Sequence, residues 1–401
     1  MQIFEKVKID QRVWLTILVV YLLIELLCWG FLGLLAKYKG LRFEPVRLTL
    51  SISEKNFINS ILDGKDWARI YLEFDKDLGW KPRKNFWVVP DKVYTNFSGT
   101  RGPGNYAVNK DPFKKRIAAF GDSFTYCEGV LDTNTWEYFL EKMLPNVEVM
   151  NFGVPAYGLD QAYWRYIKEG KAFKPDIVLI GYLSENIFRN VNNYRPFYWQ
   201  WGNILFPKPV YNLKNDELQL MPNYFRQKND YRTFLSDPEK HLSAIGKYDF
   251  YFNSKYYVGK FDFLPSVRLF KLVRYRFKQQ RDGIITGGSY NVDSIAFKIT
   301  TRIFDKFIEE VKRDGSMPVI VIFPETSDLE RYRLEKTKVY QPLLDYFKKK
   351  NYQYIDALPL IDFWEPNTDI NQIFRVHFSP RANFIISKGI QEYLKLNNYL
   401  P

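Results

Sequence analysis

The chain has 401 residues, of which 46% are hydrophobic and 18% aromatic, so it can form one large domain or two ordinary ones around a full apolar core. Its formal net charge of +13 favours acidic partners such as anionic lipid or acidic polysaccharide; because no nucleic-acid-binding motif is present, we expect no nucleic-acid partner. The two cysteines, Cys28 and Cys127, exclude a disulfide framework and a cysteine-spaced metal site, and we predict neither a metal nor a cofactor.

The first predicted element is an apolar helix at residues 13–36, after a short flank at 1–12. The helix is long enough to cross a bilayer. No small-residue cleavage site follows a short apolar core, so the pattern indicates a retained anchor rather than a removed signal peptide. Basic residues at both ends leave its orientation open. Glu25, near the middle, either contacts another membrane protein or is tolerated in its protonated form.

Residues 40–115 mix short apolar stretches with turn formers, and we expect them to pack on the main domain as a prelude. From residue 116 the pattern alternates between strand and helix. The predicted strands are 116–120, 147–152, 177–181, 318–323 and 352–355, and the predicted helices are 135–143, 159–172, 294–313, 334–349 and 379–394. Five strands alternating with helices indicate an α/β fold, in which a parallel sheet is covered on both faces.

The regular alternation is interrupted at residues 190–290 by an insert rich in aromatic residues. A structureless loop of that length is unexpected in a compact domain, so we predict a lid or small subdomain. Its rings could form a small core, or they could contact a glycan or a membrane. They include Tyr194, Phe197, Tyr198, Trp199, Trp201, Phe206, Tyr211, Tyr248, Phe250, Tyr251, Phe252, Tyr256 and Tyr257.

A candidate nucleophile follows the first predicted strand of the sheet. The turn Gly121-Asp122-Ser123 places the Ser123 hydroxyl at the carboxyl edge of the sheet, where open α/β folds bind ligands. A serine hydroxyl needs a base to remove its proton. His377, one of two histidines, precedes Ser379-Pro380, a favourable N-cap and first helical residue. This context places His377 at the same edge as Ser123; a lone surface histidine is the alternative.

Acyl transfer also needs hydrogen-bond donors for the developing oxyanion. Gly153 follows the second predicted strand and Asn186 the third, and the backbone N–H of Ser123 is a further candidate. Glycine and asparagine are common at strand ends, so ordinary turn chemistry would explain each of them alone. Their occurrence at successive strand ends, together with Ser123 and His377, favours a shared site.

These four residues resemble the blocks of the SGNH (GDSL-type) hydrolases, which supply a Ser in Gly-Asp-Ser, a Gly, an Asn and a His. The resemblance implies a flavodoxin-like three-layer fold for residues 116–189 and 291–401. It implies Ser123 as nucleophile, His377 as base, and Ser123, Gly153 and Asn186 as the oxyanion hole. The segment with Leu78-Gly79-Trp80 and Asn96-Phe97-Ser98-Gly99 also looks like the prelude of membrane-anchored members.

The sequence departs from the family pattern at two places. Ile187 stands where an Asp often follows the Asn, and Phe374 and Arg375 stand where an Asp usually precedes the catalytic His. Support for the site could come from Asp122, from a backbone carbonyl or from a distant acid such as Asp369; a Ser-His dyad and loss of activity are the other readings. Cys127, close to the serine turn, is expected to be a packed thiol rather than a nucleophile.

The expected protein is a single-pass protein of the cell (inner) membrane, anchored through residues 13–36, with its catalytic domain outside the cytoplasm. The expected chemistry is ester hydrolysis or acyl transfer. Membrane-anchored relatives are similar to proteins that O-acetylate polysaccharides, which implies a polysaccharide or acyl-ester substrate and a multi-spanning membrane acyltransferase as a partner for Glu25. The alternatives are a lipase or esterase for small or lipid substrates, and a non-catalytic glycan-binding scaffold on the same fold.

Overall fold

The computed structural model describes residues 10–63, 71–89, 92–199 and 204–400. The predicted basic flank at Lys6 and Lys8, and Trp201 of the aromatic insert, lie outside the described residues. The chain divides into two compact units, the first formed by Met1–Arg47 and Phe252–Arg281 and the second by Leu48–Tyr251 and Asp282–Pro401. Residues of the predicted insert at 190–290 are therefore shared between both units.

The first unit contains the long apolar helix Gln11–Lys39. The Asp10 side chain caps its start by accepting the N–H of Arg12, and Gly40 ends it in the left-handed conformation that glycine adopts without strain. Within the described chain it is the one helix long and apolar enough to cross a bilayer, a property that signal sequences near an N-terminus share. The observed bounds extend slightly beyond the predicted 13–36.

Glu25 has its partner within the chain. The Glu25 carboxylate is buried and accepts the backbone N–H of Ser266 at 2.9 Å, and also the Ser266 hydroxyl. Ser266 lies in the first turn of the helix Pro265–Asp282 of the same unit. Glu25 therefore contacts this helix of the same chain, and the sequence-based reading of a contact with another membrane protein stays a prediction.

The second unit is built on five parallel strands: β1 (Lys115–Phe120), β2 (Val147–Asn151), β3 (Ile177–Leu183), β4 (Met317–Phe323) and β5 (Tyr354–Asp356). Their spatial order is β2-β1-β3-β4-β5. The interiors of β1, β3 and β4, the strands with a neighbour on each side, are buried and, apart from Arg116, apolar, as a sheet covered on both faces requires. The predicted flavodoxin-like fold is confirmed, and its topological switch point lies between β1 and β3.

Helices cover both faces of this sheet, because right-handed crossovers that run in opposite directions from β1 put their helices on opposite sides. One group consists of Trp136–Met143, Ala357–Trp364 and Pro380–Leu396, and the other contains Leu159–Arg165, Ile295–Arg313 and Gln341–Lys350. Their starts follow from capping: the hydroxyls of Thr135, Ser294 and Ser379 each accept a backbone N–H from the first turn.

The single helix predicted at 334–349 is wrong. Two helices occur there, Thr326–Glu335 and Gln341–Lys350. Lys336 adopts the left-handed conformation, with φ at 55°, and its N–H bonds back to the Tyr332 carbonyl, which ends the first helix. Pro342 then stands in the first turn of the second helix, where its missing N–H costs nothing.

The aromatic insert forms part of the core of the second unit. Tyr194, Phe197, Phe206 and Tyr211 are buried, whereas Trp199 is exposed. Further elements of this unit include the helices Ile52–Asp63, Arg195–Tyr198, Asp230–Ser236 and Pro238–Gly246, and the hairpins Leu72–Asp75 with Gly79–Pro82, Phe86–Val89 with Val93–Thr95, Val210–Lys214 with Glu217–Met221, and Ile285–Thr286 with Ser289–Tyr290. The helix Phe250–Ser254 begins in the second unit and ends in the first.

Candidate functional site

Ser123 begins a short helix, Ser123–Tyr126, directly after β1 and at the carboxyl edge of the sheet. Its side chain is nearly enclosed, at 4% exposure. As the first helical residue, Ser123 has a backbone N–H with no acceptor inside the helix, and no other backbone acceptor for it is found among the residues that the structure describes. Gly121 permits the turn, since a Cβ there would lie 2.9 Å from the Gly181 carbonyl oxygen of β3 and closer still to Thr125.

Asp122 holds the turn Gly121-Asp122-Ser123 in place. Its carboxylate is fully buried; Oδ1 accepts the N–H of Phe124 at 2.9 Å and Oδ2 faces Nη1 of Arg189 at 3.2 Å. Burial raises the pKa of Asp122, and the Arg189 charge opposes that rise. Both carboxylate oxygens are thus engaged in holding the turn. We therefore interpret the predicted support by Asp122 as positioning of the Ser123 backbone.

Gly153 lies against the backbone of the serine helix. A Cβ at residue 153 would stand 2.2 Å from the backbone nitrogen of Tyr126, so only glycine fits. Its N–H donates to Oδ1 of Asn151 at 2.9 Å, while Nδ2 of Asn151 donates to the Thr125 carbonyl at 2.8 Å. Asn151, which the sequence did not single out, therefore joins the end of β2 to the serine helix. An oxyanion role for Gly153 stays a prediction.

Asn186 follows β3 and starts the short helix Asn186–Arg189. Its amide is buried, and a hydrogen bond from the Asn186 side chain to Asp122 opposes the rise in the pKa of that carboxyl. An oxyanion role for Asn186 stays a prediction.

His377 lies in a tight hairpin, Phe374–Arg375 with His377–Phe378, which precedes the helix Pro380–Leu396. Its ring centroid is 5.1 Å from that of Phe124, the residue after Ser123. The structure thus brings the predicted base to the nucleophile's side of the sheet edge. Within the described chain the two side chains make no hydrogen bond to each other; catalytic hydrogen bonds are often longer in unliganded enzymes.

The electrostatic surroundings keep His377 neutral. Burial, followed by the Arg189 charge, lowers the pKa of His377 from 6.5 to about 4. A neutral imidazole can accept a proton, which is the state a general base requires. The second histidine, His241, lies on the helix Pro238–Gly246 with its ring 5.6 Å from that of Tyr224, in the aromatic cluster of the insert.

The acid nearest to His377 is Glu128, which sequence reasoning missed. Its Oε2 lies 3.6 Å from His377 Nε2, and its side chain is 43% exposed. The predicted alternative, Asp369, is exposed and accepts the N–H of Asn371 at 2.9 Å as the N-cap of the helix Ile370–Ile373; the structure records no contact between Asp369 and His377. The sequence could have indicated Glu128 by its position, because Glu128 lies on the loop that follows Ser123.

Arg101 of the prelude holds the segment that follows the serine helix. Its Nε donates to Asp132 at 2.9 Å, and its two terminal nitrogens donate to the carbonyls of Tyr126, Cys127 and Val130. The buried guanidinium also lies over the Tyr126 ring, at 4.7 Å. Prelude and serine loop are therefore joined by one side chain, which no local pattern in the sequence revealed.

Cys127 is buried, with Sγ at 3.4 Å from Oε2 of Glu137. Burial raises the pKa of this thiol well above its ordinary value, so it stays protonated and matches the packed thiol that we predicted. Across the described ranges, no group of three or more His, Cys, Asp or Glu side chains is arranged to hold a metal ion.

Comparison with known proteins found solved structures of similar fold. A GDSL-family lipolytic protein described as putative, from Desulfitobacterium hafniense, is 13% identical and covers 70% of this chain and 100% of its own, with a TM-score of 0.33. A GDSL lipolytic family member from Veillonella parvula is 12% identical and covers 69% and 97%, with a TM-score of 0.35. A variant acetyl xylan esterase from Geobacillus stearothermophilus is 11% identical and covers 70% and 94%, with a TM-score of 0.39.

No family model and no curated protein matches the chain. The roles of individual residues rest on the contacts within this chain.

Proposed function

We propose that the protein is a membrane-anchored serine esterase or O-acyltransferase of SGNH type, acting on acyl esters of cell-envelope or exported polysaccharide. The observation that carries the proposal is the placement of an enclosed Ser123 and a neutral His377 at one sheet edge, with the buried amide of Asn186 at the adjacent strand end. Helix Gln11–Lys39 is the proposed anchor, with the catalytic unit outside the cytoplasm.

The proposed reaction has two acyl transfers. Ser123 Oγ forms a bond to the acyl carbon while His377 takes the hydroxyl proton, and the Ser123 N–H and the Asn186 amide, with Gly153 as a third candidate, stabilise the oxyanion. The ester bond then breaks and His377 returns the proton to the departing alcohol. Water or a sugar hydroxyl attacks the acyl-serine in the same way, which distinguishes hydrolase from transferase.

The usual acid behind the histidine is replaced in this proposal by a looser arrangement. Arg189 and burial keep His377 neutral before reaction, and Glu128 offsets the charge that forms on the imidazole during reaction. Because Glu128 is partly exposed and at ion-pair distance, its contribution is smaller than that of an enclosed Asp. The expected enzyme is therefore slow, with Ser123 and His377 acting nearly as a dyad.

Fluorophosphonate labelling of the detergent-solubilised full chain tests the proposal. Labelling is expected at Ser123 and lost in Ser123→Ala and His377→Ala, whereas Ser184→Ala, which removes another buried serine at a strand end, keeps it. An intact fold without labelling would support the non-catalytic scaffold instead. Faster release of an acetyl donor's leaving group on adding a sugar acceptor would identify the transferase.

A further inference from the structure

The helix Pro265–Asp282 presents two apolar faces. Leu272 is buried and Leu269 and Tyr275 are partly buried on the side that faces its own unit. On the opposite side, Phe270 and Phe277 are 67% and 68% exposed. A helix that already packs one apolar face has no need of a second inside a protein that faces only water. The second face is therefore available to an occupant beyond the residues that the structure describes.

The exposed face has the pattern of an interfacial membrane helix. Phe270, Val273 and Phe277 follow the i, i+3, i+7 spacing that places them on one stripe. Exposed basic side chains flank this stripe, while the one acid of the helix, Asp282, is its last residue. The basic residues of the helix are Arg268, Lys271, Arg274, Arg276, Lys278 and Arg281. An apolar stripe between basic borders fits acyl chains and anionic headgroups together.

The helix is tied to the proposed anchor. Ser266, in its first turn, donates its backbone N–H and its hydroxyl to Glu25 of the apolar helix Gln11–Lys39. Phe43, just beyond that apolar helix, stacks on Tyr256 at 4.9 Å, and the N–H of Val46 donates to the Tyr256 carbonyl at 2.9 Å. The side chains of residues 11–24 are exposed all round. The surface that would face lipid on the anchor thus belongs to the same unit as the amphipathic helix.

The segment that leads into the helix adds to the same surface. Val258, Phe261 and Phe263 are large apolar side chains exposed within a few residues of the helix start. Asp262, between the two phenylalanines, is buried and accepts a hydrogen bond from Lys271 at 2.6 Å, so its charge is neutralised locally. The apolar side chains point outward from this segment, and its acid, Asp262, already has a hydrogen-bond partner.

We propose that residues 258–282 form a second membrane-binding element, which lies in the lipid interface beside the anchor with Phe270, Val273 and Phe277 among acyl chains. Its basic side chains contact anionic lipid headgroups. Continuity with the exposed apolar helix and the complementary charge favour a lipid surface over a protein partner. The inference rests on the proposed anchoring, and it makes the protein's attachment selective for anionic membranes.

Site-specific fluorescence in nanodiscs tests this element in the full-length chain. A Cys28→Ser background leaves Cys127, which is buried. An environment-sensitive dye is attached to Phe270→Cys, Phe277→Cys, Leu18→Cys of the anchor, or Phe363→Cys, a 78% exposed position in the second unit. With doxyl-labelled phosphatidylglycerol, dyes at 270 and 277 are expected to lose about half of their emission or more, and the dye at 363 none.

The four positions separate the two proposals. Quenching at 18 without quenching at 270 and 277 would overturn the surface element and leave the anchor standing. Quenching at 270 and 277 without quenching at 18 would overturn the anchor alone. No quenching at any of the three would overturn both.

The headgroup contact has its own test. Replacing phosphatidylglycerol by phosphatidylcholine is expected to reduce quenching at 277 about twofold, and the triple variant Arg274→Gln, Lys278→Gln, Arg281→Gln is expected to remove this lipid dependence. The matched control Lys348→Gln, Lys349→Gln, Lys350→Gln removes the same charge from an exposed helix end in the second unit and is expected to behave like the parent. Equal quenching of the parent in both lipids would refute the headgroup contact.

Discussion

The two halves of the proposed catalytic pair are held in very different ways. The serine turn is buried and fixed on both sides by arginines, with Arg189 on Asp122 before it and Arg101 on the carbonyls after it. The histidine lies at the end of a two-residue strand of a hairpin whose tip, Val376, is exposed. The proposed nucleophile is therefore held by buried contacts, whereas the proposed base lies on a hairpin with an exposed tip.

The largest expected effect comes from removing the clamp on the serine side. Arg101→Met leaves Asp132 without its ion-pair partner and takes the donor from three buried or partly buried carbonyls. We expect the free energy of unfolding to fall by about 3–5 kcal/mol, as for other broken buried pairs. Urea unfolding of the second unit in the detergent-solubilised chain measures it.

The matched control is Arg375→Met on the hairpin. Arg375 is exposed and has no ion pair among the residues described, so its loss should change the free energy of unfolding by no more than about 0.5 kcal/mol. Similar losses for both variants would contradict the distinction between a fixed nucleophile and a loosely supported base.

The next effect is on pH dependence and concerns the base alone. Because the pKa of His377 is lowered to about 4, activity should persist below pH 6.5 and decline only near pH 4. Since the unfolded chain binds the proton first, the free energy of unfolding should also fall as the pH drops from 6.5 towards 4. This slope should shrink in His377→Gln. An acid limb centred near pH 6.5 in kcat/KM would show that the base is exposed to water.

The smallest effect is expected at the hairpin tip. Val376 has φ at 76°, a conformation that β-branched residues rarely adopt and that costs about 1–3 kcal/mol. Val376→Gly relieves this strain but adds about 1 kcal/mol of unfolded-state freedom, so the free energy of unfolding should rise by about 1 kcal/mol or stay unchanged. Thermal unfolding checks the sign. A loss greater than about 1 kcal/mol would mean that the valine side chain stabilises the hairpin.

Much of the fold could be predicted because its signals are local. β3 and β4 are continuous apolar runs, and Thr135, Ser294 and Ser379 cap helices within three residues of themselves. The helix break at Lys336 could not be predicted, since a lysine in the left-handed conformation leaves no compositional mark. Local periodicity therefore predicts that an element exists better than it predicts where the element is interrupted.

For the candidate site, the residues that the sequence marked lie at turns after strands, where position along the chain already determines position at the sheet edge. Ser123 and Asn186 follow β1 and β3, the strands on either side of the switch point, and the ring of His377, the proposed base, lies 5.1 Å from that of Phe124, the residue after Ser123. The residue types supply the chemistry that we propose for these positions. The strand order, which the alternating pattern predicts, brings the positions to one edge of the sheet.

The groups that hold these residues in place can be identified only in the folded structure. Arg101 reaches the serine loop from the prelude, Glu128 meets a histidine far along the chain, and Glu25 finds Ser266 in a helix of the insert. Such contacts depend on packing between segments distant in sequence, and a buried charge looks the same as a surface charge until its partner is known. Residue type and strand order predict which side chains reach the sheet edge, whereas packing between distant segments supplies the contacts that support them.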